Sequence, residues 1–318
     1  MTIHHRRELK AEAARILAQT PNQKRIVLLY AGVAAALSVL TALVSYLLDA
    51  GIAETGGLSG FRLRSILDTA QQLLSYTTSI ALPFWGLGYT HAMLKISRQQ
   101  PVRDTTLLEG FRRFGPGLRL MLLQYLIVAG LFTLCIYGVI LILGMTPIAA
   151  PAYEVLEPMM DQMMTNPEWM PDTATALALF DALLPILIAG TILGCLVVIP
   201  LSYRMRFAQL RIMDDPRCGA RQAISTSLTA TRRNCLALLK LDLSFWWYWL
   251  LTGLILALTF CDLILAYLGV NLPLDPAVAS WAFSLAATAL QVALYVTCQN
   301  QVSVTYALAY DSLLPQNP

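Results

Sequence analysis

Six stretches of the chain are nearly continuous apolar runs, at about 26–48, 69–94, 118–145, 177–203, 241–267 and 281–310. A hydrocarbon core about 30 Å thick is crossed by roughly 20 helical residues, so each run is long enough for a transmembrane helix. Between the runs the pattern changes to one apolar face per helical turn. In RRELKAEAARIL, Leu9, Ala13, Ile16 and Leu17 share a face, with charged residues opposite. TTLLEGFRRF groups Leu107, Leu108, Phe111 and Phe114 beside Arg112 and Arg113, and ARQAISTSLTATRRN groups Ala220, Ala223, Ile224, Leu228 and Thr231. The pattern predicts three short amphipathic helices lying on the cytoplasmic membrane surface. The first apolar run is too long for the roughly 7–15 apolar residues of a secretory signal, so Gly51-Ile52-Ala53 is read as following an uncleaved anchor.

Composition agrees with the pattern. Of 318 residues, 57% are hydrophobic and 13% charged, about half of the ~25% charge of a soluble domain. The mean hydropathy is +0.61. The expected fold class is therefore all-α: a polytopic helical membrane protein with six transmembrane helices and short cytoplasmic amphipathic helices, forming a single membrane domain over 1–318.

Charge orients it. Of the 22 lysines and arginines, six precede the first span, six lie between the second and third (Lys95, Arg98, Arg103, Arg112, Arg113, Arg119), and eight lie between the fourth and fifth. Only Arg62 and Arg64 fall elsewhere. Basic loops stay inside, so both termini are expected to be cytoplasmic, in a bacterial cell membrane. The cytoplasmic parts are then an amphipathic segment over 1–25 and a basic loop over 204–240. The loop over 146–176 is expected outside. It carries EPMMDQMMTNPEWMPD, whose methionines suggest Cu(I) handling through thioether ligands. The other reading starts a helix at Pro158 and closes the segment at Pro167. Met159, Met160, Met163 and Met164 then fall within a ~140° arc, a greasy face with Trp169 at the interface.

Candidate chemistry is sparse. Ionisable residues keep to the span edges (His91, Lys95, Arg119, Asp181, Asp242), and Asp262 is expected near the outer surface, so no ion path is drawn through the membrane centre. There is no GxSxG, HExxH, P-loop or GxGxxG, and the six cysteines form neither a CxxC nor a metal pattern. No catalytic residue, cofactor or metal is therefore assigned. The last span is the most polar, and Gln299, Asn300 and Gln301 are candidates to line a polar cavity or to bond neighbouring helices. Gly190 and Gly194 form a GxxxG step, and Pro83 and Pro185 predict kinks.

Taken together, Glu8-Leu9-Lys10, Gly110-Phe111, IPLSYRMRFAQLRIMDDP, Leu243-Ser244-Phe245 and Ala309-Tyr310 resemble bacterial six-span membrane proteins filed as domain of unknown function nine-seven-five. The resemblance runs along the whole chain and implies a fold and a membrane address, with no activity. Two departures stand out: Arg232-Arg233 and Trp246-Trp247 replace expected glycines, which argues against tight turns at those places.

Three functions follow as expectations. The first is a non-enzymatic protein that organises lipids or recruits a membrane or cytoplasmic protein partner at the inner face, through Arg112, Arg113, Arg232 and Arg233. The second is a permease for a lipid-like or small neutral compound. Cu(I) handling is the third. Membrane lipids are the expected partners, and nucleic acid is not.

Overall fold

In the computed structural model, residues 6–49, 58–166, 173–261, 264–265 and 276–314 are described. Gly51-Ile52-Ala53, Pro167, Trp169 and Asp262 lie outside them. Most of the described residues are helical, with no strand among them. Packing divides the chain into two compact units, Met1–Leu118 with Phe207–Pro318, and Arg119–Arg206.

The first unit begins with α1 (Arg6–Gln19), α2 (Gln23–Asp49) and α3 (Leu58–Ser97). A 3-10 turn over Asp104–Leu108 and the single-turn α4 (Glu109–Arg112) follow, and then the start of α5 (Phe114–Gly144). It resumes at α8 (Ala208–Asp214), α9 (Ala220–Thr231), α10 (Cys235–Leu243) and α11 (Trp246–Thr259). The last helical run is α12 (Pro276–Leu294), a π-helical turn over Tyr295–Gln299, and α13 (Asn300–Leu313). α2 packs against α3 and α12, α12 against α11, and α13 against α1 and α3. The second unit holds the rest of α5, α6 (Ala150–Thr165) and α7 (Thr173–Met205), with Val139, Ala149 and Ile186 as its small core.

Four stretches are helical, long and apolar enough to cross a membrane: Gln23–Leu48, Phe114–Gly144, Ala174–Asp214 and Val278–Leu313. The α5 stretch has a mean hydropathy of 2.8 with none of its window buried in protein. Leu126, Leu134, Leu141 and Ile142 on it are each at least 65% exposed. A helix that is apolar all round and uncovered by protein is stable only in lipid.

Two of the six predicted spans differ from the simple picture. The second lies within α3, but Ser75-Tyr76-Thr77-Thr78-Ser79 place five hydroxyls in succession and lower its hydropathy. Two of those hydroxyls bond their own helix: Thr77 donates to the Leu73 carbonyl at 2.7 Å and Thr78 to that of Leu74 at 2.9 Å. The fifth is broken, α10 and α11 meeting at 71°. At the break, backbone bonds tighten to the i−3 carbonyl, Phe245 N–H donating to Asp242 O at 2.8 Å. The Ser244 hydroxyl also takes the Leu241 carbonyl at 2.6 Å. Lys10 closes the corner from α1, donating to Ser244 O at 2.9 Å with its ammonium 4.1 Å from the Phe245 ring centroid. The sharp turn at Trp246-Trp247 therefore exists without glycine. So does the one at Arg232-Arg233, where Asn234 N–H bonds Thr231 O at 2.9 Å.

The three amphipathic segments also depart from expectation. Ala13, Ile16 and Leu17 of α1 are buried among Tyr89, Ala92, Met93, Ile96 and Val304, so protein from α3 and α13 covers that face. α9 likewise buries Ala223, Ile224, Ser227 and Thr231, and packs against α8. TTLLEGFRRF is not one helix: Leu107 is fully buried while Leu108, Phe111 and Phe114 stay exposed, because the 3-10 turn changes the residue period from 3.6 to 3. What fastens it is backbone contact. A Cβ on Gly88 would stand 1.8 Å from Leu107 O, and one on Gly110 2.0 Å from Phe84 O.

In the second unit, α6 starts at Ala150 with Pro151 in its first turn, two turns before the expected start, and Pro158 lies inside it. The four methionines do not share one environment: Met159 is 9% exposed, Met160 and Met163 are 53% and 54%, and Met164 is 82%. α6 packs against α7, and of the four methionines only Met159 is buried. Gly190 and Gly194 do serve close approach, since a Cβ there would meet Ile136 Cα at 3.3 Å and the Phe132 ring at 2.6 Å.

Gly88→Ala is expected to destabilise the protein by about 1–3 kcal/mol or more, because the clash is with backbone and cannot relax by a rotamer change. Gly32→Ala, with nothing within 4 Å, serves as the tolerated control. Thermal unfolding of both in nanodiscs reads the difference.

Candidate functional site

Polar residues in the first unit gather at three levels along the helices. At one end of α3, Arg98 forks between two carboxylates, donating through Nη2 to Asp214 at 3.2 Å and to Asp311 at 2.7 Å. The Tyr310 hydroxyl donates to Asp214 at 3.0 Å, and Arg211 pairs with Asp215 at 3.2 Å. Burial works against the Arg98 charge, but its hydrogen bonds to Asp214 and Asp311 outweigh that and hold the guanidinium above its ordinary value. The next residue, Gln99, has φ 55°, the only positive φ at a non-glycine among the described residues. Its N–H bonds Ile96 O and that of Gln100 bonds Lys95 O, both at 2.9 Å, which closes the helix end with a left-handed residue. Nearby, Glu109 accepts from His91 at 2.7 Å and Lys95 at 3.1 Å, which ties α4 to α3.

The middle level is aromatic and amide-rich. Tyr30 stacks on Tyr89 at 4.4 Å between centroids and on Tyr295 at 5.9 Å. Tyr89 donates to Asn300 Oδ1 at 2.8 Å, and Asn300 Nδ2 donates to both Gln23 O and Gln23 Oε1 at 3.2 Å. Tyr248 donates to Gln299 Oε1, and Gln299 Nε2 to Ser303 at 3.3 Å. The π-helical turn inserts one extra residue per turn and so lets Gln299 reach α11 while Asn300 reaches α2 and α3.

On the far side of the tyrosines from Arg98 lies a cavity of about 640 Å³ between α2, α3, α11 and α12. Among the described residues, none that lines it is charged. Ala31, Ala34, Ala35 and Ala42 from α2 and Ala287 from α12 supply small walls, and Tyr46, Trp281, Gln291 and Tyr295 the larger ones. Hydroxyls from all four helices complete it, among them Ser38, Thr41, Thr78, Thr259 and Thr288. The opening exists because α2 sets alanine and serine at i, i+3, i+4 and i+7 toward its neighbours.

The residues singled out from sequence distribute across these levels. Gln299 and Asn300 join helices and are not part of the cavity lining, and neither is Gln301. Arg113 is half-buried and donates to Ile212 O and Asp215 O, both at 3.3 Å, so it caps the end of α8. Arg112, Arg232 and Arg233 are exposed. Sequence reasoning passed over the small-residue stripe of α2, which its spacing could have flagged. The Arg98 fork had no such signal, since its three members lie in loops and helix ends more than 90 residues apart. Among the described residues, no three His, Cys, Asp or Glu side chains group as metal ligands. The Cys218 thiol, pushed up by burial, is a weak nucleophile.

Arg98→Gln leaves Asp214 and Asp311 facing each other without their cation. An expected loss on the order of 3 kcal/mol follows, with partial recovery when Asp311→Asn is added. Thermal midpoints of the two single variants and the double variant measure the coupling.

Compared with family models, curated proteins and solved structures, the chain finds no match.

Proposed function

We propose that this protein is a membrane permease or carrier that accepts a small neutral or lipid-like compound in the cavity between α2, α3, α11 and α12. The observation that carries this reading is the cavity itself. Its volume of about 640 Å³ falls within the ~300–1,000 Å³ of small-molecule sites, and its mixed small, aromatic and hydroxyl lining is typical of them. An uncharged wall in hydrocarbon penalises an ion by several kcal/mol and admits a neutral molecule. On this reading the cavity binds and passes a compound without transforming it, since among the described residues no acid–base pair lines it.

In this reading α3 and the bent α10–α11 pair complete six crossings with the four apolar stretches. Thr77 and Thr78 of α3 are tolerated there because they bond within the helix, and Thr78 also lines the cavity. The loop charges support cytoplasmic termini, with the Arg98 level inside and the cavity toward the outer half. Arg112, Arg232 and Arg233 then stand free at the inner surface to meet anionic headgroups, worth about 1 kcal/mol each. A change of all three to glutamine is expected to weaken binding to vesicles rich in anionic lipid, measured by copurified lipid, without altering the thermal midpoint.

Ala287, buried in the cavity wall, gives the central test. Ala287→Trp fills the space. Compounds that copurify with the protein from native membranes at low detergent, read by mass spectrometry, are expected to fall at least about tenfold, a loss of ~1.4 kcal/mol. An unchanged profile in a folded variant rejects the cavity as the binding site.

A further inference from the structure

We infer that the cavity selects a neutral amphiphile that donates hydrogen bonds, of the acylglycerol type with free hydroxyls. The inference rests on the reading of the cavity as a ligand site and narrows what it takes.

The selection comes from where the lining protons already point. Thr41 donates to Leu37 O at 2.9 Å, Thr259 to Ile255 O at 3.0 Å and Thr288 to Ser284 O at 2.8 Å. Thr78 donates to Leu74 O at 2.9 Å. A hydroxyl whose one proton is committed to its own helix has only lone pairs left to offer. Four hydroxyls from four helices therefore present acceptors. Ser45 also receives a proton, from Gln71 Nε2 at 3.1 Å. A ligand with hydroxyl donors uses these lone pairs, whereas one with acceptors alone cannot, and such mismatches discriminate between ligands.

Donors accompany them, since the Gln291 carboxamide and the Ser38 and Ser280 hydroxyls also line the cavity. Trp281 lines the cavity beside Tyr46 with ring centroids 5.7 Å apart, while its own Nε1–H is buried away from the open space. An ester carbonyl matches the Gln291 amide or a serine hydroxyl. The alanine wall and the two aromatic rings take an apolar segment. Among the described residues no basic side chain lines the cavity to hold a phosphate or carboxylate head, and no acidic one to serve an ammonium as counter-ion.

The test uses full-length protein in phosphatidylcholine nanodiscs, with radiolabelled monooleoylglycerol, its di-O-methyl ether and oleate as probes. Monooleoylglycerol is expected to bind at least about tenfold more tightly than the other two. Thr41→Val combined with Thr288→Val is expected to remove about tenfold of that affinity and to leave ether binding unchanged. Thr41→Ser and Thr288→Ser, which keep the oxygen, are expected to restore it. Unfolding midpoints identify any variant that does not fold, and the serine pair then carries the comparison. Equal affinity for the glycerol and its ether overturns the inference, as does failure of all three probes to bind. If Ala287→Trp abolishes binding of every probe while ether and glycerol bind the wild type alike, the cavity reading stands and only the donor selection falls. If that variant binds every probe normally, both fall.

Discussion

A polar group in hydrocarbon has to find its partner inside the protein, and the unit formed by Met1–Leu118 with Phe207–Pro318 is arranged around that constraint. Each level of the bundle meets it differently. Where charges occur, at the end of α3, Arg98 takes two carboxylates and Tyr310 adds a proton to one of them. Where amides occur, Asn300 uses both ends of its side chain, accepting from Tyr89 and donating to Gln23. Where only hydroxyls occur, they turn back on their own helices. The last arrangement satisfies protons while leaving space between helices, so the cavity lies where the cross-links are fewest.

The same constraint explains the irregular elements. A straight final helix would carry Gln299 and Asn300 past their partners, and the π-helical turn re-aims them. The break between α10 and α11 exposes backbone carbonyls at a bend, and Lys10 supplies a donor to Ser244 O. α1 thus owes its position to a hydrogen bond and a cation–π contact as well as to Ala13, Ile16 and Leu17. Gly88 and Gly110 let the turn after α3 touch its backbone directly, and Glu109 then falls between His91 and Lys95. Charged groups at the helix ends and close glycine contacts brace the region next to the tyrosine stack, and the α2 side is left to small residues.

Much of this was legible in the residues, and the reasons differ by element. The apolar stretches of α2, α5 and α7 follow from length and hydropathy alone, because lipid demands the same of any crossing helix. The Gly190–Gly194 step declared its close contact through spacing, and it meets Phe132 and Ile136. The amphipathic patterns of α1 and α9 correctly marked faces that need cover, but periodicity carries no information on whether lipid or protein supplies it. Protein does so at both. The glycine argument at Arg232 and Trp246 failed because a turn can close with i−3 bonds and a side-chain donor, and no residue there needs a positive φ.

By itself the sequence determined the all-helical class, the apolar stretches that suit a membrane and the asymmetry of basic charge, since these depend on solvent transfer and on residues local to each segment. Tertiary structure alone decided that Arg98 meets Asp214 and Asp311, that Asn300 bonds helices, and that the cavity lies beside Gln291 and Tyr295 instead of Gln299. Those outcomes depend on helix register and on a single π-helical turn, where one residue of offset changes which neighbour a side chain faces.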